Sequence, residues 1–86
     1  MNVMISKVNK KRALAVFYSE TDGYGFFELL DFAEVEEDDV LQGNFDITGE
    51  TSVFNLNKGN RINICIESYG MSLNNAMEKV FGRKQR

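Results

Sequence analysis

Few side chains in this 86-residue sequence can carry out acid–base, nucleophilic or metal chemistry. Histidine is absent, so the usual catalytic triads and imidazole-ligated zinc sites cannot be assembled. The single cysteine, Cys65, cannot form an intrachain disulfide, and its setting in a strand-like run predicts a packed, unreactive thiol. Glu36-Glu37 and Asp38-Asp39 could hold Mg²⁺, but adjacent acids on a loop are a weak ligand signal. The sequence therefore predicts a protein that is not an enzyme and that has no cofactor and no metal site.

The residues with the clearest binding chemistry are aromatic and lie within residues 16–27. Tyr24 and Phe26 are each preceded by a glycine, and on a strand both rings project from the same face. The glycines leave room for a flat nucleic-acid base to lie on each ring. A base stacked on an aromatic ring contributes about 1–3 kcal/mol, and any base is tolerated. Phe17, Tyr24 and Phe26 are therefore predicted stacking platforms for a short single strand, with the alternative that these rings fill the core.

This stretch resembles the opening of the cold-shock domain. That family has an aromatic pair, Asn and two variable residues, and then Lys-Gly-Phe/Tyr-Gly-Phe-Ile, and the spacing here matches without a gap. By this resemblance Phe17 stands in place of the family's Trp, Tyr18 in place of its Phe, and Gly23-Tyr24-Gly25-Phe26 in place of the core of its RNA-binding signature. The likeness covers residues 13–27 well and 58–80 loosely. It implies a small barrel of the oligonucleotide-binding (OB) type that binds single-stranded RNA or DNA.

Three departures from the cold-shock pattern affect the expected nucleic-acid face. Asp22 replaces the family's Lys, Phe17 replaces its Trp, and residues 39–45 offer one ring and no His where the family has Val-Phe-Val-His-Phe. Phosphate contacts need Lys or Arg near the rings, because counterion release from those contacts supplies most non-specific affinity. The predicted phosphate-binding residues are Lys11, Arg12 and Arg61, and further candidates are Lys10, Lys58 and the basic tail with Arg83, Lys84 and Arg86.

Short runs of β-branched and aromatic residues between turn residues predict a mainly β protein. Five strands are expected, at about residues 11–19 (with 4–6 as a backward extension), 24–32, 40–47, 51–56 and 61–69. In the last of these, Ile62, Ile64 and Ile66 alternate with polar residues, so they are expected to face the core. Gly43 is a candidate bulge in the third strand.

Beyond Gly70 the apolar residues follow a helical spacing, at positions 73, 76, 77, 80 and 81. Ser72 as N-cap and Gly82 as C-terminal stop predict a short helix within residues 71–82, covering one end of the barrel. A final strand is the alternative, since Asn74 and Asn75 have weak helix propensity.

The length allows one domain, and five strands are too few for a two-sheet sandwich of the immunoglobulin type. The expected fold is a small five-stranded antiparallel Greek-key barrel, OB-fold like, with a short C-terminal helix. An SH3-like barrel is the structural alternative. Within the single domain 1–86, residues 1–10 are a candidate N-terminal extension and residues 83–86 a basic tail.

Charge is unevenly distributed in this chain of net charge −3, because residues 20–39 carry nine acids and no base. The acidic balance argues against a protein that coats nucleic acid electrostatically. The acidic run predicts a solvated loop, with docking of a basic partner as a sharper alternative. The first residues, Met1 to Val8, have no apolar run of signal-peptide or membrane-span length, so we expect a cytoplasmic protein without a membrane partner.

Two functions are compatible with these features. The first is a cold-shock-like domain that binds single-stranded nucleic acid by aromatic stacking. The alternative is an OB-type barrel without nucleic-acid binding that acts as a protein–protein interaction module, with a protein partner or a second copy in a homodimer. The first function requires Tyr24 and Phe26 to be exposed side by side on the sheet.

Overall fold

The structure is a computed structural model that describes residues 1–31 and 33–82. Within these residues there are six strands and one helix, namely β1 (Asn2–Asn9), β2 (Leu14–Ser19), β3 (Gly23–Leu29), β4 (Val40–Gln42), β5 (Gly49–Asn55), β6 (Asn60–Met71) and α1 (Leu73–Phe81). The strands close into an antiparallel barrel in the order β1-β2-β3-β6-β5-β4. Since β1 to β3 are consecutive neighbours and β4 returns beside β1, the order is that of a Greek key. The predicted mainly β, OB-like barrel with a C-terminal helix is confirmed, although its strand count of five was wrong.

The sixth strand comes from the start of the chain. Residues 2–9 pair with β2 on one side and, at their beginning, with β4 on the other, so they close the barrel rather than extend from it. The expected first strand at 11–19 begins at Leu14, because the chain reverses over residues 10–13. Ala13 takes a left-handed conformation there, with φ 56°. An alanine is rarely used for this, so its residue type does not predict the turn.

The strand expected at 40–47 is reduced to the three residues of β4. Residues 43–48 form a loop instead, and the ring of Phe45 in this loop is buried in the core. Gly43 begins this loop, and a Cβ atom at that position would lie only 2.6 Å from Cγ1 of Val53. Gly43 therefore allows the backbone to approach β5 closely.

The barrel interior holds one apolar core. Three phenylalanine rings, Phe17, Phe27 and Phe45, form its centre, with centroid separations of 5.0, 6.1 and 6.4 Å. The core face predicted for β6 is confirmed. The buried residues of this core are Val3, Ile5, Ala15, Phe17, Phe27, Val35, Leu41, Phe45, Val53, Ile62, Ile64 and Ile66.

The predicted helix is confirmed, but it packs against the outer face of the sheet rather than over a barrel end. Ala76 and Val80 are buried against Val16 of β2, and the surrounding half-buried side chains include Tyr24 and Phe26 of β3. The Ser72 hydroxyl accepts a hydrogen bond from the Asn75 N–H at 3.1 Å, which is the predicted N-cap.

The C-terminal end of α1 is fixed to the turn between β1 and β2. Gly82, with φ 84°, ends the helix by donating its N–H to the Glu78 carbonyl. The Val80 carbonyl accepts hydrogen bonds from Nδ2 of Asn9 at 2.8 Å and from Nη1 of Arg12 at 3.3 Å. In the described part of the chain, no helix is both long and apolar enough to cross a membrane.

Candidate interaction site on the outer face of the barrel

The structure corrects the prediction that Phe17 is a stacking platform. Side chains alternate along β2, so Ala15 and Phe17 point into the barrel while Val16 and Tyr18 point outward. Phe17 is 0% exposed and packs against the rings of Phe27 and Phe45. No face of its ring is available to a base.

Tyr24 and Phe26 do project from one outer face, as the alternation predicts, but they are not freely exposed. Both rings are half-buried because α1 packs over this part of the sheet. The glycine between them does not make room for a base either. Gly25 is buried, and a Cβ atom there would collide with the Phe17 ring and the Ser68 carbonyl oxygen. The expectation of two substantially exposed rings side by side is therefore wrong.

The predicted phosphate-binding residues are not gathered at these rings. Arg12 donates to the last turn of α1, where a cation complements the carbonyl end of the helix dipole. Lys11 is exposed in the turn between β1 and β2. Arg61 lies on β6, with its guanidinium 6.0 Å from the centroid of the Phe54 ring on β5. The basic tail 83–86 lies outside the described residues.

The acidic run is partly a structural element of the barrel. Two residues of this run are buried, Val35 in the core and Asp39 four residues later. Glu36, between them, is exposed, as expected of a solvated loop. The Asp39 carboxylate accepts hydrogen bonds from Nδ2 of Asn55 and the N–H of Glu36, both at 3.0 Å. Lys58 approaches the same carboxylate at 3.4 Å.

These contacts shift the pKa of the Asp39 carboxyl. Burial raises the pKa of the Asp39 carboxyl, but the hydrogen bonds from Asn55 and Glu36 and the charge of Lys58 outweigh burial and hold the pKa below its usual 3.8. Desolvation opposes the charge on Lys58 as well, yet Glu36 and Asp39 raise the pKa of its ammonium. Within the described residues, no three His, Cys, Asp or Glu side chains are grouped so as to hold a metal ion.

Cys65 is half-buried on the outer face of β6, not inside the core. Its cross-strand neighbours are Glu28 on β3 and Glu50 on β5. Burial and the negative charges of Glu67, Glu50 and Glu28 raise the pKa of the Cys65 thiol. A raised pKa leaves less of the thiol as the nucleophilic thiolate. The unreactive role of Cys65 stays a prediction.

An apolar groove lies on the outer face where β4, β1 and β2 meet. Met4 pairs across the strands with Val40 on one side and Tyr18 on the other, and the Tyr18 ring is 4.9 Å from that of Tyr24. Met1, Met4 and Tyr18 are 46%, 43% and 38% exposed. We call this surface the Met4 groove; its lining residues are Met1, Asn2, Val3, Met4, Tyr18, Ser19, Glu20, Thr21 and Val40.

The lining of the Met4 groove holds two charged groups, the Glu20 carboxylate and the α-ammonium group of Met1. Asp22 follows Glu20 in the turn between β2 and β3 but does not line the groove. No Lys or Arg of the described chain lines it. Sequence reasoning missed this surface because it treated residues 4–6 as an extension of the next strand. The signal for a separate strand β1 is the alternation of buried Val3 and Ile5 with exposed Met4.

Comparison of the chain with models of known protein families, with curated proteins and with solved structures found no match in any of the three. The candidate site therefore rests on the geometry of this chain alone.

Proposed function

We propose that this barrel is a protein–protein interaction module that binds its partner through the Met4 groove. The observation that carries the proposal is the exposure of Met1, Met4 and Tyr18 next to one another on a rigid sheet. Contiguous apolar surface of this kind marks interaction sites on soluble proteins. Methionine and tyrosine are also among the residues enriched at protein interfaces.

The energetics favour a docking surface. Fully burying one large apolar side chain contributes about 1.5–3 kcal/mol. Met4 and Tyr18 are 43% and 38% exposed, so a partner that covers the rest of both gains about 1–2 kcal/mol from them. Both residues lie on strands that are paired on either side, Met4 between β2 and β4 and Tyr18 between β1 and β3. Because these strands are already ordered, little backbone conformational entropy is lost there on binding.

A second candidate function is the binding of single-stranded nucleic acid by a cold-shock-like face. It is supported by the ring pair of Tyr18 and Tyr24 at the surface, on which one base could stack. It is disfavoured by the helix over Phe26 and by the acid at the groove, since phosphates need cations near the stacking rings. The interaction module is therefore the better-supported function.

Site-specific photo-crosslinking in the source cells tests the proposed module. A photo-reactive residue at position 4 or 18 is expected to capture a protein, whereas the same residue at position 81 is not. Phe81 is a matched control because it is 45% exposed but lies at the C-terminal end of α1, outside the groove lining. Equal capture from positions 4, 18 and 81, or no protein adduct at all, would overturn the proposal.

Titration of labelled oligo-dT and mixed single-stranded RNA, at about 50 mM and 200 mM salt, tests the second candidate. The interaction module predicts no binding at the lower salt. Binding that weakens at the higher salt and disappears in Tyr18→Ala would instead establish the nucleic-acid function. Binding that Tyr18→Ala leaves unchanged would show that nucleic acid is bound elsewhere than at the ring pair, and would also count against the module.

A further inference from the structure

We infer that the partner segment in the Met4 groove is an extended strand, which pairs main chain to main chain with Asn2 of β1. This inference rests on the proposed interaction function and specifies the conformation of the partner. It follows from the hydrogen-bond pattern of β1 and from the point at which β1 and β2 separate.

The pairing of β1 with β2 stops at Met4, whereas its pairing with β4 continues to the start of the strand. Met4 is opposite Tyr18, and no residue of the described chain pairs with Asn2 or Val3 on the β2 side. On the other side, residues 2–4 are all paired with β4. The start of β1 is therefore a short open strand edge, and it lines the Met4 groove together with the end of β2 and the turn that follows it.

The main-chain groups of Asn2 point toward this open edge. In an antiparallel ladder, the N–H and C=O groups of one residue share an edge, and those of the next residue lie on the other edge. The Met1 carbonyl accepts a hydrogen bond from the Gly43 N–H at 2.9 Å, just beyond β4. The Ile5 N–H donates to the Asp39 carbonyl at 2.8 Å, just before β4. The odd-numbered residues therefore face β4, and Asn2 faces the β2 side, where it is exposed and has no backbone partner among the described residues.

These two open groups select an extended segment as the occupant. An occupant that covers Asn2 removes water from its N–H and C=O, which is unfavourable unless the occupant replaces those hydrogen bonds. An extended residue opposite Asn2 exchanges both bonds with it, as in strand addition to a sheet. A helix has already used its own main-chain groups internally. The alternation also places the side chain of the added residue on the outer face, beside Met4 and Tyr18, where an apolar side chain fits.

The size of the groove favours a short segment over the face of a folded domain or a second copy of this chain. Nine residues line it, whereas a standard stable interface takes about 20–30 residues from each partner. The lining has a single charged side chain, that of Glu20, so the charge of the occupant is not specified. What the groove specifies is an extended main chain and an apolar side chain.

The test uses a phage-displayed library of random peptides of about 12 residues, from which binders are selected on the folded protein. Peptides in the groove are recognised by NMR shifts at the methyls of Met1 and Met4 without a shift at Met77, which lies on α1 outside the groove lining. With these peptides we expect hydrogen exchange of the Asn2 amide to slow about tenfold or more, because its N–H gains an acceptor. The Ile5 amide, already hydrogen-bonded, reports any general gain in stability, and the change at Asn2 must exceed it.

Two variants of one residue separate the main chain from the side chain. Asn2→Pro removes the N–H that faces the groove, and the strand tolerates proline there because this N–H has no partner in the described chain. Asn2→Ala removes only the side chain. We expect the selected peptides to bind Asn2→Pro about tenfold more weakly than Asn2→Ala. An unchanged Met77 methyl signal and thermal midpoint verify that each variant is folded.

The same pairing can be tested from the peptide, should Asn2→Pro fail to fold. N-methylation of a selected peptide, one residue at a time, removes one N–H in each version. A strand is expected to lose about tenfold in affinity at the residue that donates to the Asn2 carbonyl, while the residues next to it are tolerant. A helical peptide would instead be sensitive at consecutive positions.

Several outcomes would overturn the inference. Groove-binding peptides that leave the exchange of Asn2 unchanged, equal affinities of Asn2→Pro and Asn2→Ala, or no peptide that shifts Met1 and Met4 would each exclude an added strand. Protection of the Asn2 amide without peptide, together with a dimer in sedimentation, would identify a second copy as the occupant. If the peptide tests fail while positions 4 and 18 still capture a protein in cells, the interaction module stands and only the extended conformation of the partner is wrong.

Discussion

Gly25 has a packing role that its sequence context conceals. It lies between two outward-facing rings, yet its own inner face is filled by Phe17 and by the backbone of β6. The pairing of β3 with β6 also shifts register on either side of Phe26, which fits a strand forced close to its neighbour. The Gly-Tyr-Gly-Phe stretch is therefore explained by the fold without a bound base.

Replacing Gly25 with alanine is expected to destabilise the barrel by about 2–3 kcal/mol, because the added methyl group overpacks the core. Urea unfolding followed by circular dichroism measures the loss. The matched test is a double-mutant cycle with Phe17→Leu, in which part of the loss should be recovered because the ring is one of the two colliding groups. A Gly25→Ala protein as stable as the wild type would show that the site is open.

Asp39 makes stability depend on pH. Its folded-state pKa lies below the usual 3.8, so its stabilising contribution is fully present above that value and is lost as the pH falls through the folded pKa. Asp39→Asn should cost about 2 kcal/mol at pH 7, since hydrogen bonds to a charged buried group are replaced by weaker ones. The variant should also lose less stability than the wild type between pH 4 and the lower, folded pKa.

Urea unfolding of both proteins from neutral to acid pH measures this difference. Glu36→Gln is the control, because Glu36 also contacts Lys58, at 3.3 Å, but is exposed. It should cost less than about 1 kcal/mol at pH 7. Stability curves of wild type and Asp39→Asn that run parallel over the acid range would contradict the role given to Asp39.

At the scale of elements, α1 depends on its caps, because nine residues are too few for a helix to be stable alone. Ser72→Ala removes the N-cap hydrogen bond and should cost about 1 kcal/mol. Hydrogen exchange measures this effect. In Ser72→Ala the amides of α1 should exchange faster than they do in the wild type, and this increase should be larger than any in the core strands of the barrel. Ser52→Ala, at an exposed strand position, is the control and should leave α1 unaffected. Unchanged exchange in α1 would mean that its packing alone determines its stability.

The elements predicted correctly from sequence are those whose signals are local. The alternation of Ile62, Ile64 and Ile66 identifies β6, and Ser72 and Gly82 mark the limits of α1. β1 was missed as a separate strand because an alanine, Ala13, makes the left-handed reversal that separates it from β2.

The candidate site was harder to predict than the elements. The Met4 groove depends on the pairing of β1 with β4, and the covering of Tyr24 and Phe26 depends on where α1 docks. Both are contacts between residues far apart in sequence, and no local pattern encodes them. Alternation could predict that Tyr24 and Phe26 point outward, but not that a helix lies on them. The resemblance to the cold-shock domain stays a prediction.

At the scale of the whole molecule, the core depends on a residue outside the strands. Phe45 comes from the loop at 43–48, is 1% exposed, and packs on Phe17 and Phe27. Phe45→Ala is expected to cost about 3–5 kcal/mol, a large part of the 5–15 kcal/mol that typically stabilises a domain. Chemical unfolding measures the loss.

Phe54→Ala is the control for this substitution, because Phe54 is half-buried and does not belong to the core. It should cost clearly less than Phe45→Ala. Equal losses would mean that the loop at 43–48 does not close the core as described.

The separation of phenylalanines from tyrosines has an optical consequence. The chain has no tryptophan, and its three tyrosines, Tyr18, Tyr24 and Tyr69, all lie outside the barrel core, whereas the rings inside it are phenylalanines. Intrinsic fluorescence excited in the tyrosine band therefore reports on the outer surface, and on the Met4 groove through Tyr18 in particular. The weak phenylalanine bands of the near-ultraviolet spectrum report on the interior. One unlabelled sample can thus distinguish an event at the groove from a loosening of the core.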